Sequence, residues 1–445
     1  MTSPEPTTTQ PEIGSVFVSN YPPFGVWRPE NLPAVQAVLD APPATPILGA
    51  TLGLYLHIPF CRKRCKFCYF RVYTDKDSEE IGAYLDALST EVELYAERAA
   101  IAGRPLEFVY FGGGTPSYIS VRQLDRLVSR VQAALPWTGA EEITFECEPG
   151  TLTHSKLAAI RAIGVTRLSL GIENFDDGVL RENGRAHLSA EIYRVLPWIA
   201  EMGFDQLNVD LIAGMVGETW ETWRETVRKT VEIEPDSVTI YQMELPYNTV
   251  YSQSVLGGSF DQPLADWPTK RAWHDYAFAE LAAAGYVLSS AYTMVKPKGA
   301  SSRFVYRDSV WHGSDMLGAG VASFSHLSGV HFQNVSGWNE YLGMLAERRL
   351  PLGRGLAITA RERLTREMIL QLKLGSLALP YFRDKFGVDV LTEFAPAWEQ
   401  LQAEGMLRHG AGNAGKIELT RAGLLQVDRL LPSFYDDRYR NARYT

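Results

Sequence analysis

The chain has 445 residues, of which 46% are hydrophobic and 21% charged, and its formal net charge is −9. This composition is typical of a globular protein with room for one large domain and one or two small ones, and the acidity argues against broad non-specific nucleic-acid binding. Four cysteines in so long a chain do not make a disulfide framework. No apolar run approaches the roughly 20 residues that span a bilayer, and the N-terminus lacks signal-peptide features, so we expect a cytoplasmic protein without a membrane span.

The N-terminal region precedes any regular alternation of elements. Residues 1–14 are polar and rich in proline and threonine, which predicts a disordered tail. A helical patch follows near Leu32 to Leu39, and the proline-rich piece Ala41 to Pro46 is typical of a linker or an extended strap over the main domain.

From Thr51 to Gln242, short apolar strands alternate with helices of about ten or more residues, which predicts βαβ units and a parallel sheet. Six such units favour an open or partial barrel, in which the active site lies at the C-terminal ends of the strands. The predicted strands are 54–58, 106–111, 142–147, 167–171, 206–212 and 237–242, and the predicted helices are 79–102 with Ser78 as N-cap, 121–135, 154–163, 189–202 and 219–232.

After Gln242 the pattern loosens into a helix, a strand over 286–295, an aromatic-rich loop over 300–312 and a glycine-rich stretch over 313–329. From about Leu350 the composition becomes helical, with helices at 359–377, 391–404 and 421–431 and a short hairpin around 405–420. Helices followed by a β-wing predict a small winged-helix-like unit. We therefore expect an N-terminal tail and strap over 1–50, a main domain over 51–330 and a C-terminal helical domain over 331–445.

Three of the four cysteines, Cys61, Cys65 and Cys68, lie on one loop just past the first predicted strand, with the spacing C-x3-C-x2-C. Three thiolates on one short loop can face a single iron–sulfur cluster and leave one iron open for chemistry. A zinc knuckle is the alternative, although it normally needs a fourth ligand. Cys147 on the third strand is a candidate for that ligand, but a buried core cysteine is the simpler interpretation.

Further candidate residues follow the strand ends. The stretch GGGTPS, Gly112–Ser117, follows the second strand, and its glycines let the backbone approach a ligand closely. Glu146, Glu173 and Asp210 lie near the ends of three successive strands, where carboxylates face the pocket and can accept hydrogen bonds from ribose hydroxyls or an amino group. Arg185 is either a partner for a ligand carboxylate or a surface arginine.

A basic rim surrounds the three cysteines and consists of Arg62, Lys63, Arg64 and Lys66. It has three interpretations: a solvated face, a landing site for an acidic electron donor, or a set of contacts for substrate carboxylates.

The segments HIPFCRKRCKFC and GGGTPS together resemble the radical S-adenosylmethionine (SAM) superfamily. More closely, the chain is similar to the oxygen-independent coproporphyrinogen III oxidase family (HemN), which includes the haem chaperone HemW and several methyltransferases. The likeness runs from about Val16 to the C-terminus and includes LSLGIENF, NVDLIAG, GAGVASFSHLSG and LTRAG. It implies an α/β fold, namely a partial (β/α) TIM-type barrel with an N-terminal strap and a C-terminal helical, winged-helix-like domain.

The resemblance also implies cofactors. A 4Fe–4S cluster is expected on the three cysteines, with SAM bound to its open iron through amino and carboxylate groups. One electron then cleaves SAM to methionine and a 5′-deoxyadenosyl radical, which abstracts hydrogen from the substrate. The family holds one SAM or two. The positions matching contacts to the first are Tyr55, Gly113, Glu146 and Phe324, and those matching contacts to the second are Phe67, Gly114, Thr115, Glu173, Arg185, Asp210 and Met243.

Two positions depart from the family's oxidases, which carry a fourth cysteine where this chain has Phe70 and a glutamine where it has Glu173. The absence of the fourth cysteine is shared by the chaperone and methyltransferase branches, whereas the long strap and the complete C-terminal domain look more like the oxidase.

The expected function is that of a radical SAM oxidoreductase acting on an organic substrate such as a tetrapyrrole. The alternatives are methyl transfer with two SAM molecules and haem delivery, in which His326 and His331 would be axial ligands unless they are satisfied loop histidines. Expected partners are a small-molecule substrate and a reducing electron donor such as flavodoxin or ferredoxin, without nucleic acid.

Overall fold

A computed structural model describes residue 14 and residues 16–43, 51–260, 262–298, 302–408, 415–440 and 442. The predicted tail over 1–14, apart from Gly14, and the part of the proline-rich piece from residue 44 onward lie outside the described residues. Within the described ranges, no helix has the length and apolarity needed to cross a membrane.

The described strands form one sheet of twelve and one of two. Six consecutive strands, β1 to β6, lie side by side in chain order and run parallel. Parallel strands that lie side by side in chain order, with helices between them, have the winding of a (β/α) barrel. The predicted barrel-type α/β fold is therefore confirmed. The strands are β1 (Leu52–Ile58), β2 (Leu106–Gly113), β3 (Glu142–Cys147), β4 (Arg167–Glu173), β5 (Gln206–Ala213), β6 (Ser237–Gln242), β7 (Val287–Leu288), β8 (Thr293–Val295), β9 (Asp315–Ala319), β10 (Phe324–Leu327), β11 (Val330–Asn334), β12 (Leu352–Ala357), β13 (Ser376–Ala378) and β14 (Lys416–Glu418).

The helices mostly begin at side-chain caps that satisfy their free N–H groups. The bounds are α1 (Leu32–Asp40), α2 (Ser78–Ala96), α3 (Val121–Ala134), α4 (His154–Ala162), α5 (Asp177–Glu182), α6 (Ser189–Met202), α7 (Trp220–Ile233), α8 (Val250–Leu256), α9 (Trp267–Ala283), α10 (Val305–Trp311), α11 (Trp338–Ala346), α12 (Ala360–Leu372), α13 (Leu379–Phe386), α14 (Val390–Glu393), α15 (Ala395–Ala403), α16 (Arg421–Leu424) and α17 (Val427–Leu430).

The cap of α2 differs from the prediction. Asp77, not Ser78, is the N-cap, because its carboxylate accepts hydrogen bonds from the N–H groups of Glu79 and Glu80. The Glu80 carboxylate accepts the Asp77 N–H in return, which completes a capping box.

Both edges of the sheet differ from a simple βα repeat. On one side β9 runs parallel to β1, and β10, β11 and β12 follow antiparallel. On the other side, the strand predicted over 286–295 is instead the antiparallel pair β7 and β8, which extends β6. The N-terminal segment covers the β12 edge, where Arg28 and Gly355 exchange two backbone hydrogen bonds.

The aromatic-rich loop predicted over 300–312 contains a helix, α10. Its first N–H groups, at Val305 and Tyr306, donate to the carboxylate of Glu142 at 2.9 and 3.3 Å. Because this cap comes from β3, far away in the sequence, no local pattern predicted the helix.

The C-terminal part is helical, as predicted, with a small two-stranded sheet. The helix predicted over 359–377 ends at Leu372, and the chain then forms β13, which pairs with β14. Of the predicted hairpin, a bridge between Leu407 and Leu419 is present.

The inner face of the barrel is set by alternation along β1. Leu54, Leu56 and Ile58 are fully buried in the hydrophobic core. Tyr55 and His57 alternate with them and therefore point to the opposite side of the sheet. The site described next is built on that inner face and at the carboxyl ends of the strands.

Candidate active site at the cysteine loop and strand ends

The three cysteines lie on the loop that leaves β1. The loop is closed at its base by Cys61 N–H, which donates to the Tyr73 carbonyl, and by Tyr73 N–H, which donates to the Pro59 carbonyl. On its other side the Lys66 N–H donates to the carbonyl of Asn183 at the end of α5. Cys61, Cys65 and Cys68 are half-buried free thiols on this fixed loop.

Two side chains donate hydrogen bonds to the sulfur atoms. Thr115 Oγ1 lies 3.3 Å from Cys61 Sγ, and Arg185 Nη1 lies 3.3 Å from Cys65 Sγ. Burial raises the pKa of Cys61 to about 11 and that of Cys68 to about 12. The thiols of Cys61 and Cys68 are therefore protonated on their own, and a bound metal would supply the positive charge that makes thiolates of them.

The arrangement of the three thiols favours a cluster over a single metal ion. Among the described residues, no three His, Cys, Asp or Glu side chains are placed to hold one metal ion. A four-iron cluster is larger than one ion, so its ligands stand farther apart than the zinc ligands of a knuckle. Three thiols on one loop, two of them already accepting hydrogen bonds, suit such a cluster.

The glycines of GGGTPS serve the packing of the chain itself. Gly114 N–H donates to the Ile58 carbonyl at 2.9 Å, and a Cβ on Gly114 would lie 2.8 Å from the carbonyl carbon of Pro59. Gly113 has φ +117°, and a Cβ there would collide with the His57 ring. These glycines therefore let the β2 turn press against the cysteine loop, and their approach to a ligand stays a prediction.

The three predicted carboxylates converge on the inner face. Tyr110 OH donates to Glu146 Oε1 at 2.7 Å, and Gly113 N–H donates to Oε2 at 3.2 Å. Asp210 accepts hydrogen bonds from Ser169 Oγ and Asn208 Nδ2 at 2.8 and 2.9 Å.

Burial governs the protonation of these acids. Burial and the nearby charge of Asp210 raise the pKa of Glu146 to about 7. Burial raises the pKa of Glu173 to about 7, and the charges of Asp210 and Glu146 act in the same direction. The charge of Arg185 opposes this rise but does not cancel it. The pKa of Asp210 is also raised by burial. Three mutually repelling acids in one low-dielectric site indicate a functional pocket rather than a solvated surface.

Arg185 joins the acids to the cysteine loop. Besides Cys65 it contacts the Gly171 carbonyl at 2.8 Å and Glu173 at 3.4 Å. Glu173 itself has φ +65°, a conformation that is uncommon outside glycine and is found at functional sites. The surface interpretation of Arg185 is thus wrong, because its side chain is only 11% exposed and bonded within the site.

The remaining predicted contacts are spread around this centre. Tyr55 stacks on Tyr110 with ring centroids 5.7 Å apart. Phe67 and Met243 pack in a small apolar cluster beside the loop. Phe324 lies two strands from β1, 4.1 Å from the Phe24 ring of the N-terminal segment. The roles of these residues toward SAM stay predictions.

Sequence reasoning missed His57 and Tyr110, although alternation along β1 and β2 could have indicated both. Burial lowers the pKa of His57 to about 4, so its ring is neutral. Its Nε2 atom is buried without a hydrogen-bond partner in the described part of the chain. A buried ring nitrogen without a hydrogen-bond partner is a candidate ligand contact.

The two histidines considered as axial ligands are bonded to other groups of the chain. His331 Nε2–H donates to the Tyr21 carbonyl at 3.2 Å, which leaves Nδ1 to accept the Nδ1–H of His326 at 3.0 Å. Both rings are buried, as satisfied histidines should be, but they lie on β10 and β11 rather than on a loop. Cys147 is buried, as the core interpretation predicts.

Comparisons with known proteins agree with this geometry. A family model described as the radical SAM superfamily matches residues 55–230, and one for the HemN C-terminal domain matches residues 358–426. The chain therefore contains a radical SAM domain and a HemN C-terminal domain. A radical SAM domain implies a 4Fe–4S cluster and SAM as cofactors.

Named relatives fall into two groups. The chain is 28% identical over 401 residues to an oxygen-independent coproporphyrinogen III oxidase of Synechocystis, covering 86% of this chain and 84% of the relative. It is 25% identical over 383 residues to the haem chaperone HemW of Bacillus subtilis, covering 85% and 98%.

Among solved structures, the coproporphyrinogen III oxidase HemN of Escherichia coli matches with a TM-score of 0.79 at 23% identity. The match covers 96% of this chain and 99% of that one, which establishes a shared fold.

Proposed function

We propose that this radical SAM protein is an oxidoreductase that abstracts hydrogen from an organic substrate such as a tetrapyrrole. The observation that carries the proposal is the double contact of Arg185 with Cys65 and Glu173, which joins the cysteine loop and the acid-lined pocket into one site. Relatives named as coproporphyrinogen III oxidases support the substrate class.

The chain's own residues have distinct roles in this proposal. Cys61, Cys65 and Cys68 would hold the cluster, which together with SAM supplies a 5′-deoxyadenosyl radical when both are bound. Glu146 accepts from Tyr110 and Gly113 and would take a further hydrogen bond from an amino group of the ligand. Asp210, oriented by Ser169 and Asn208, would accept from ribose hydroxyls.

The protonation of Glu146 fits this role. A pKa of about 7 leaves the carboxylate partly protonated near neutrality, and an incoming amino group would favour its charged form. The stacked rings of Tyr55 and Tyr110 would line the inner side of this site.

The haem-chaperone alternative receives no support from the histidines named for it. Both ring nitrogens of His331 are engaged in hydrogen bonds, and His326 is bonded to it through Nδ1. Axial ligation by His331 would require breaking the contact with Tyr21.

Anaerobic reconstitution with iron and sulfide tests the cluster. The wild type should be brown and contain about four irons per chain, and Cys65→Ala should lose most of this iron. Cys147→Ala is the matched control and should retain it, since Cys147 is buried apart from the loop. A colourless wild type, or equal iron loss in both variants, would contradict the proposal.

Product analysis tests the reaction. With a strong reductant and SAM the protein should release 5′-deoxyadenosine, and with coproporphyrinogen III it should release carbon dioxide. Formation of S-adenosylhomocysteine would favour methyl transfer instead. Haem binding with neither product would favour the chaperone.

A further inference from the structure

We propose that the outer surface of the cysteine loop is the docking site for a small acidic electron-carrier protein. This surface, the basic loop face, consists of Lys63, Arg64, Phe70 and Arg71. The inference rests on the proposed function, because it assigns the place where the required electron reaches the protein.

The structure divides the cations of the loop into two groups. Residues 61–71 contain five basic residues and no acidic one. Arg62 is paired with Glu148 at 3.2 Å and Glu191 at 3.7 Å, and Lys66 is paired with Glu182 at 2.9 Å. These two cations fasten the loop to Glu148, which follows β3, and to acids on α5 and α6, so their charge is compensated.

The other three cations are exposed and uncompensated. In the described ranges, no carboxylate lies within ion-pair distance of Lys63, Arg64 or Arg71. Arg64 donates only to backbone carbonyls, those of Cys68 at 3.2 Å and Asn248 at 3.4 Å. A local positive field on a chain of net charge −9 selects an acidic partner and speeds its encounter.

An exposed aromatic ring lies among these cations. Phe70 is 47% exposed and stacks on Tyr69 with ring centroids 4.4 Å apart. An apolar centre with a charged rim is the composition of a small protein–protein interface, and transient redox complexes use the smallest of these. A carboxylate-bearing small substrate would not need such an exposed ring beside the cations.

The basic loop face is continuous with the predicted cluster ligands. Arg64 precedes Cys65 and bonds the carbonyl of Cys68, and Phe70 follows Cys68 by two residues. A carrier docked here would bring its reduced flavin or iron–sulfur centre next to the loop. The carrier would lose one electron and the cluster would gain it, with no bond made or broken and no proton required.

Binding of reduced flavodoxin to the reconstituted protein tests the proposal by calorimetry at low and high ionic strength. Lys63→Glu with Arg71→Glu should weaken binding by roughly tenfold or more at low salt, and high salt should remove most of the difference. Phe70→Ser should weaken binding at both salt concentrations, because it removes apolar contact rather than charge.

The matched control carries the same charge change elsewhere. Arg303→Glu with Arg349→Glu alters two exposed arginines, whose side chains are 56% and 61% exposed. Arg303 faces Glu141, which precedes the amino end of β3, whereas the cysteine loop follows the carboxyl end of β1. This control should bind flavodoxin within about twofold of the wild type, because neither arginine belongs to the basic loop face.

Two further readouts separate the possible failures. Cluster reduction by a small neutral reductant, photoreduced deazaflavin, should be equal in wild type and Lys63→Glu/Arg71→Glu, while reduction by flavodoxin should slow in the variant. A protein without a reducible cluster would overturn the proposed function itself. Unchanged flavodoxin binding in the variant, equal weakening in the control, or a change only in substrate KM would overturn the docking proposal.

Discussion

Arg185 Nη1 donates a hydrogen bond to Cys65 Sγ at 3.3 Å, while Nη2 of the same guanidinium donates to the Gly171 carbonyl at 2.8 Å. The arginine thus holds a candidate metal ligand against the end of β4. Hydrogen bonds and positive charge at a ligating sulfur stabilise the electron-rich form of an iron–sulfur cluster.

Arg185→Gln should therefore lower the cluster's reduction potential and speed iron loss to a chelator by roughly tenfold or more. Electron paramagnetic resonance during a redox titration measures the first effect, and absorbance during chelation measures the second. Arg181→Gln, an exposed arginine on α5, is the control and should change neither. Identical potentials in wild type and Arg185→Gln would contradict the assignment.

Gly114 should not tolerate a side chain. A Cβ there would meet three backbone atoms, the Pro59 carbonyl carbon at 2.8 Å and the nitrogen and oxygen of Phe60 at 3.0 Å. Since backbone cannot rotate away, Gly114→Ala should cost about 1–3 kcal/mol of unfolding free energy and reduce iron incorporation.

The matched glycine is Gly82 inside α2, where an added Cβ has no neighbour within 4 Å. Gly82→Ala should stabilise the protein by up to about 1 kcal/mol, through helix propensity. Urea denaturation of both variants measures the contrast, and a neutral Gly114→Ala would disprove the close approach.

Tyr110 should set the pH at which Glu146 can act. Its hydroxyl donates to the Glu146 carboxylate and lowers the pKa of that group. Burial outweighs this effect and raises the pKa of Glu146 to about 7. Tyr110→Phe should therefore move this pKa higher still. If the charged carboxylate binds the amino group of SAM, affinity rises with pH, and the midpoint of the rise should shift upward in the variant.

Calorimetry of SAM binding across a pH series measures that midpoint in the reconstituted protein. Tyr193→Phe, which alters a ring that is 47% exposed, should leave it unchanged. A midpoint that stays in place in Tyr110→Phe would remove Glu146 from the binding site.

Glu91 should make stability fall with rising pH. Its carboxyl group is fully buried between Gly320, Asn334 and Tyr341, and burial raises its pKa from 4.5 to about 8. Between these two values the folded state binds more protons than the unfolded state, so unfolding free energy decreases by up to about 1.4 kcal/mol per pH unit.

Glu91→Gln should remove this component of the pH dependence between about pH 5 and 8. Denaturation of the metal-free protein at several pH values measures it, with Glu79→Gln, exposed in the first turn of the same helix, as control. Parallel slopes for wild type and Glu91→Gln would show that Glu91 stays charged.

Much of the barrel could be predicted from the sequence. The predicted bounds of β3 and β6 equal the observed ones, because both are rich in β-branched and aromatic residues and are flanked by polar or turn residues. The helix α10 was missed because its cap, Glu142, lies on β3. A local sequence pattern does not contain a residue so far away in the chain. The strand predicted over 286–295 turns back at 289–292 and forms two short strands.

Some features of the candidate site could also be predicted from the sequence, and others could not. Glu146, Glu173 and Asp210 were predicted together because parallel strands place their carboxyl ends at one edge. The basic residues 62–66 were ambiguous in sequence, and only the positions of Glu148, Glu182 and Glu191 separate compensated from uncompensated charges.

The sequence by itself determined the alternation of strands and helices from β1 to β6, the cysteine spacing and the presence of acids at the strand ends. These features follow from local periodicity and from residue types, and both can be recognised in a short stretch of sequence. The tertiary structure alone decided that Arg185 bonds Cys65, that Gly114 packs against Pro59 and that His331 is satisfied by Tyr21. Each of these contacts joins residues brought together by the tertiary fold, and their energies depend on distances and burial that a linear sequence does not contain.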